Sequence, residues 1–428
     1  MTSLETTEPM AEETPVVAAK RPSRRALIVL GMAAFLNTMG FTIIGPVSPF
    51  IVQQHLSDPR NLAAVVGWLA SSYAICQFIA APGLGALSDR FGRRPILIIC
   101  LLGSAIGYLL FGFGGALWNF FLGRIIDGLT GGNFSILFAY VADITEPEER
   151  GKLFGRFAAI SGVGFIAGPA IGGFMARFGL QTPFFLAAGL VTLNLLLAIF
   201  ALPESLRPEH RVARIRVWDL NPIKQLGGIF RIKQLRWLLV LGVCYMFPFV
   251  IMVSNMGVLM IDHLHWDAAR IGLVSLVVGS MDILVQGVLV QRLLPRFGEV
   301  RLLVVGLGGV MLGYLALGSV AILASPVALI AGIALFAGFG GLVEPTLAGL
   351  TSRAAGAQSQ GAVQGGSQAL QSLTAIFGPL WAGELYTNAG GASPYATAAL
   401  IVGLGIFLVL RAAPMLRAQT KPSAADQT

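Results

Sequence analysis

Twelve apolar runs of membrane-crossing length constrain this chain more than any other feature. They fall near 26–51, 62–87, 95–115, 118–142, 153–176, 181–202, 237–261, 270–290, 302–321, 326–350, 362–386 and 393–411. A helix rising about 1.5 Å per residue crosses the hydrocarbon layer in about 20 residues. Hydrocarbon offers no water to an exposed backbone N–H or C=O, so such runs must close their own hydrogen bonds as helices. Charged residues make up only 12% of the chain, too few to cover a soluble domain. The expected fold is an all-α polytopic membrane protein with twelve transmembrane helices. Its faintest boundary, between the third and fourth spans, falls at 112–117.

Cation placement orients the spans. With the N-terminus inside, Arg60, Arg177 and Arg270 are left on the outer side and Arg124 within a span. The rest of the 29 lysines and arginines are cytoplasmic. That bias predicts two cytoplasmic termini in a cell membrane. It also assigns the net charge of +8 to orientation and anionic lipid, with no nucleic-acid partner. The first run is too long for a signal-peptide core and lacks a small-residue exit, so it reads as an uncleaved span. Cys76, Cys100 and Cys244 all lie in apolar runs and read as small core residues.

The organisation is then a cytoplasmic tail over 1–25, a six-helix bundle over 26–202 and a basic linker over 203–236. A second six-helix bundle covers 237–411, and a tail covers 412–428. Trp218 and the run 229–237 suit an amphipathic piece lying along the membrane surface. The halves echo one another. Arg90-Phe91-Gly92 recurs as Arg296-Phe297-Gly298, 206 residues on. Gly151, Gly155 and Gly168-Pro169 recur as Gly361, Gly365 and Gly378-Pro379, each 210 residues on. Parallel six-helix repeats with a site between them are a transporter design, here with two pseudo-symmetric bundles.

The fifth span carries Gly155, Gly164, Gly168, Pro169, Gly172 and Gly173. Glycines four apart leave one helix face bare, so another backbone can approach closely, and Pro169 bends the helix. Together with six further stretches this resembles the major facilitator superfamily, and within it the twelve-helix drug–proton antiporters that include bacterial tetracycline exporters. The stretch 85–95 is similar to that family's loop between spans 2 and 3. Gly123-Arg124-Ile-Ile-Asp127-Gly128 is similar to its span 4 arginine motif, and 155–173 to its antiporter motif. Asn37 to Pro49, Ala142-Asp143-Ile-Thr145, Leu202-Pro-Glu-Ser205 and Gln360-Gly361-x2-Gln364-Gly365 also resemble the tetracycline exporters.

Two positions depart from that pattern. Where those exporters carry acids in spans 1 and 9, this chain has Asn37 and Val310, and Asp282 stands in span 8 where histidine is frequent. The acids left within the membrane are Asp127, Asp282 and Glu344, with Glu384 nearer the outer face. A charge at mid-membrane costs about 2.5–3.5 kcal/mol on insertion scales, so each needs a function or a partner. Asp282, Asp127, Arg124 and Glu344 are the candidate proton-coupling residues, although Asp127 lies one turn from Arg124 and equally suits a self-satisfied ion pair.

The resemblance also implies a central cavity. Its candidate walls are Asn37, Phe41, Tyr73, Gln77, Asn133, Tyr245, Phe249, Asn255, Gln364, Gln368 and Gln371. Met246, Met252, Met256 and Met260 along span 7 suit either a pliable apolar wall or core filling. Gly85, Asp89, Arg90, Gly92, Arg93 and Asp143 form a candidate gate with Gly164, Gly168, Pro169 and Gly172. In that reading Arg93 meets Asp143, and the latch holds the cytoplasmic side shut and breaks when that side opens. The echo at Arg296-Phe297-Gly298 lacks a matching aspartate, which makes the latch one-sided.

No Gly-x4-Gly-Lys-Ser/Thr loop is present, so ATP-driven transport is unsupported, and nothing suggests an enzyme. His263 and His265 near Asp262 and Asp267 are too few for a convincing metal site. The leading expectation is a monomeric secondary transporter in the lipid bilayer. It would need no cofactor and would expel a small amphipathic compound against protons. A metabolite facilitator or symporter of the same fold, or a membrane sensor that has lost transport, are the rivals.

Overall fold

The computed structural model describes residues 24–214 and 233–419. For 24–26, 147, 233–235, 355–365 and 414–419 it describes the backbone alone. The linker readings at Trp218 and over 229–232 lie outside the described residues. The described residues form helices and turns with no strand.

The first half runs α1 (Arg24–Thr42), α2 (Ser48–Gln53), α3 (Leu62–Phe91), α4 (Arg93–Phe113), α5 (Leu117–Leu129), α6 (Asn133–Ile144), α7 (Pro147–Met175) and α8 (Thr182–Phe200). The second runs α9 (Lys233–Leu264), α10 (Ala268–Leu284), a π-helical turn (Val285–Leu289), α11 (Val290–Phe297), α12 (Glu299–Leu323), α13 (Pro326–Ala389) and α14 (Ser393–Gln419). Ten described helical stretches are long and apolar enough to cross a membrane. The shorter Leu27–Thr42 and the second arm of α13 account for the other two apolar runs.

The faint boundary at 112–117 is real. Gly114 and Gly115 take positive φ, 65° and 97°, which ends α4 and lets α5 begin at Leu117. Three single runs are subdivided. Turns interrupt the first at 43–47 and the fourth at 130–132, and the eighth contains the π turn. The helical assignment of α13 is continuous over 64 residues, about 96 Å at 1.5 Å each, far more than one crossing. Gly332 packs against Leu317, and Ala392 lies against Gly318 on the same helix, so both ends of α13 return to one side and the element crosses twice.

One rim of the molecule gathers Arg90, Arg93, Arg94, Arg150, Lys152, Arg156, Arg296, Arg301 and Arg353, and is here called the basic rim. The far rim carries Arg60, Arg177 and Arg270. Within the first half α4 packs on α5 and α8, and α1 on α7. Within the second, α9 and α12 pack on α13. The bundles meet along α3 with α13 and α7 with α10.

Candidate functional site

In the first bundle, α5 places Arg124 and Asp127 one turn apart, with Arg124 Nη1 3.7 Å from Asp127 Oδ2. Gly107 makes room, since a Cβ there would lie 3.0 Å from Asp127 Cβ. The guanidinium lies over two rings, 5.0 Å from the centroid of Phe111 and 5.7 Å from that of Tyr73. Cation–π contact is strongest where water is excluded, and Asp127 is buried. Asn133 donates to Ser104 Oγ at 3.1 Å, beside the same carboxylate. Gln77 Nε2 donates to Tyr73 Oη at 3.1 Å and to the Gly131 carbonyl at 2.9 Å, and Phe41 leans on Tyr73 at 5.8 Å. Six predicted residues therefore converge on one polar cluster: Phe41, Tyr73, Gln77, Arg124, Asp127 and Asn133. Ser104 was missed, because a lone serine in an apolar run carries no signal.

In the second bundle, Gln286 Nε2 donates to Asp282 Oδ2 at 2.8 Å across the start of the π turn. Such turns re-aim side chains and occur often at functional sites. Asp282 lies against α13, where a Cβ on Gly341 would be 3.2 Å from its Oδ1. One turn further on, Glu344 opens into a cavity of about 210 Å³ formed by α9 and both arms of α13. Tyr245, Met246, Gln371 and Thr374 line that cavity too. Tyr245 donates to the Gly340 carbonyl at 3.2 Å, and Phe249 stacks on Phe336 at 6.0 Å. Gln286, four residues after Asp282, was legible as a helical neighbour but passed over.

Other candidates fall elsewhere. Asn255 is fully buried and donates to the Ala382 carbonyl at 2.8 Å, so here it ties α9 to α13. Asn37 is also buried. Gln368 is exposed, and the Gln364 side chain lies outside the described residues. Met252, Met256 and Met260 are core, leaving Met246 at the cavity. Val310 is fully buried among apolar side chains. Among the described residues no group of three His, Cys, Asp or Glu could hold a metal ion.

The bundles seal toward the far rim. Gly67 of α3 lies on Pro379, and Gly383 on Ala63 and Ala64. Ser71 Oγ donates to the Ile376 carbonyl at 2.7 Å, and Trp68 Nε1 to Glu384 Oε1 at 3.0 Å. On the other seam Gly173 meets Ala268, Gly272 meets Pro169, and Gly279 faces Ile166. Toward the basic rim, positions 83, 85, 151, 155 and 162 have no neighbour within 4 Å of a Cβ among the described residues. Among the described residues, the contacts between the bundles gather toward the far rim. Gly164, Gly168 and Gly172 all face α1, where Thr42 Oγ1 reaches the Gly164 carbonyl at 3.4 Å.

The loop at 85–95 is braced within its own bundle. Arg93 Nε donates to Asp143 Oδ2 at 3.0 Å, its Nη1 to Ser88 Oγ at 2.7 Å, and it pairs with Asp89. Ser205 also donates to Asp143, at 2.9 Å. Arg90 lies over Phe91 at 5.1 Å. The expected Arg93–Asp143 contact is present. It joins two segments of one bundle. Glu204, given no role from sequence, accepts from the amides of Arg93 at 2.8 Å and Arg94 at 3.2 Å, capping α4.

Residues 30–379 match the Major Facilitator Superfamily. The class C tetracycline resistance protein of Escherichia coli is 35% identical over 398 residues, covering 90% of this chain and 96% of that protein. Multidrug resistance protein 2 of Bacillus subtilis (strain 168) is 32% identical over 392 residues, covering 89% and 94%. Among solved structures, the human organic anion transporter MFSD10 (TETRAN) superposes with a TM-score of 0.68 at 25% identity, covering 91% of this chain and 100% of that one.

Proposed function

The chain belongs to the major facilitator superfamily, and from that premise we propose that it is a proton-coupled secondary transporter expelling small amphipathic, drug-like compounds. One observation carries the reading. Membrane-embedded acids stand in both bundles, at Asp127 and at Asp282 with Glu344, either side of a seam whose described contacts gather toward the far rim. Two bundles rocking about such a seam expose the same groups to each side in turn.

In this reading the basic rim and both termini face the cytoplasm of a multi-pass cell-membrane protein. A monomer suffices, since both bundles come from one chain. The driving force is the proton gradient, with no bound cofactor. An acid within the membrane needs a proton or a charged or polar partner, so loading a proton and loading substrate compete through the same groups. Met246, Leu238 and Leu347 beside Glu344 give the second-bundle cavity an apolar wall with one acid, which suits an amphipathic ligand. The dry, apolar setting of Val310 points away from the acid-lined recognition expected of tetracycline exporters.

The test is reconstitution into vesicles with an imposed pH gradient, using ethidium, tetracycline and chloramphenicol as probes. Uptake should follow the gradient and fall at least about tenfold in Asp282→Asn or Asp127→Asn, the loss of about 1.4 kcal/mol of coupling. Uptake indifferent to the gradient, or unchanged in both variants, overturns the proposal.

A further inference from the structure

The halves repeat the loop turn down to its backbone. Gly92 ends α3 with φ 108° and ψ 157°, and Gly298 ends α11 with φ 74° and ψ 161°. Each amide returns to a carbonyl four residues back, Ser88 at 3.1 Å and Leu294 at 3.0 Å. Before each glycine an arginine lies over the following phenylalanine, Arg90 over Phe91 at 5.1 Å and Arg296 over Phe297 at 6.0 Å. The next residue opens the following span, as Arg93 in one half and Glu299 in the other, at the same offset of 206. Arg93 pairs with Asp143 at the end of the fourth span, and Glu299 pairs with Arg353 toward the basic end of the tenth. Asp143 and Arg353 each precede the first matched glycine, Gly151 or Gly361, by the same interval, so they share the offset of 210. The same two positions pair in both halves, with the charges exchanged. Asp89 has no counterpart, since Pro295 stands at its offset, but the pair made by Arg93 has one with the signs reversed.

We propose that Glu299 and Arg353 are positioning residues, the polarity-inverted counterpart of Arg93 and Asp143, holding the loop after α11 on the tenth span so that the second bundle rocks as one body. Arg353 reaches from a half-exposed position to a mostly buried acid. The Glu299 side chain is 11% exposed; Arg353 meets its Oε1, and its Oε2 has no hydrogen-bond partner among the described residues. Removing Arg353 would strand a mostly buried carboxylate, which costs far more than losing an exposed pair. The repeats are related by an axis along the membrane normal, so equivalent positions face each other across the cleft. Inversion sets opposite signs there when the basic rim closes, where identical pairs would set like against like.

The inference rests on the transport reading for its kinetic arm, and full-length protein in vesicles tests it. Glu299→Gln and Arg353→Gln should each lower the maximal rate of probe uptake about tenfold, equivalent to about 1.4 kcal/mol, with apparent KM unchanged. The exchanged double variant, Glu299→Arg with Arg353→Glu, should recover most of that rate. A merely local packing role would not survive exchange of two differently shaped side chains. Wild-type rates in either single variant, or an exchange no better than the singles, overturn the proposal. If a single variant fails to accumulate in the membrane, recovery of its amount by the exchange supports the pair and non-recovery overturns it. If wild-type vesicles move none of the probes, the transport reading fails alone. Thermal unfolding of the same variants then decides the pair, with lowered midpoints restored by the exchange as the supporting result and no restoration as the contrary one.

Discussion

Gly92 is the residue on which the loop turns. Its φ of 108° is open to glycine and strained for any other residue, and a Cβ there would come 2.7 Å from Glu204 Cδ. That carboxylate fills the amides at the start of α4 and also accepts from Leu206 N at 3.1 Å. An acid at a helix N-terminus satisfies donors that the helix leaves open and complements its dipole. Gly92→Ala should therefore destabilise by about 1–3 kcal/mol from the backbone alone, with a further loss as Glu204 is pushed off. The check is thermal unfolding of purified protein, with Gly83→Ala as reference, since position 83 has neither a positive φ nor a neighbour within 4 Å. Equal midpoints for the two variants would contradict this account.

At the scale of elements, α7 works on two faces. Gly164, Gly168 and Gly172 take α1 against bare backbone, while Pro169 and Gly173 meet Gly272 and Ala268 of α10 in the other bundle. In hydrocarbon no hydrophobic force draws helices together, so close backbone approach and its dispersion contacts supply the association. A branched side chain at position 168 would sit on the Met39 carbonyl, 3.0 Å from a Cβ, and on Ile43 N at 3.1 Å. Gly168→Val should destabilise by about 1–3 kcal/mol, as overpacking usually does, and reduce the folded protein recovered from membranes. Gly162→Val, with no neighbour within 4 Å, should be recovered like wild type. Comparable losses in both would mean that glycine serves α7 through flexibility and not through packing.

For the whole molecule, the far-rim seal is what must come apart when the cleft changes sides. It includes the Trp68–Glu384 bond, which joins residues 316 apart in sequence. Trp68→Phe keeps a ring and deletes the donor, removing about 1 kcal/mol from the closed far rim. The population open at that rim should rise about fivefold. Maleimide labelling of a cysteine placed at Ala63, buried in the seal, reads the change directly in a background lacking Cys76, Cys100 and Cys244. Unchanged labelling would show that the bond does not hold the rim.

The sequence by itself determined the membrane-spanning helical class, because apolar length and backbone hydrogen bonding admit no other solution in lipid. It determined the two-bundle repeat through matched offsets, and the first-bundle cluster in large part, because Arg124 and Asp127 stand one helical turn apart. Tertiary structure decided what depends on pairs distant in the chain. It made Asn255 a tie between helices and gave Glu204 its place over Gly92. It also showed Glu299 meeting Arg353, since a charge has no preferred partner until packing brings one within reach and excludes the water that would otherwise screen it.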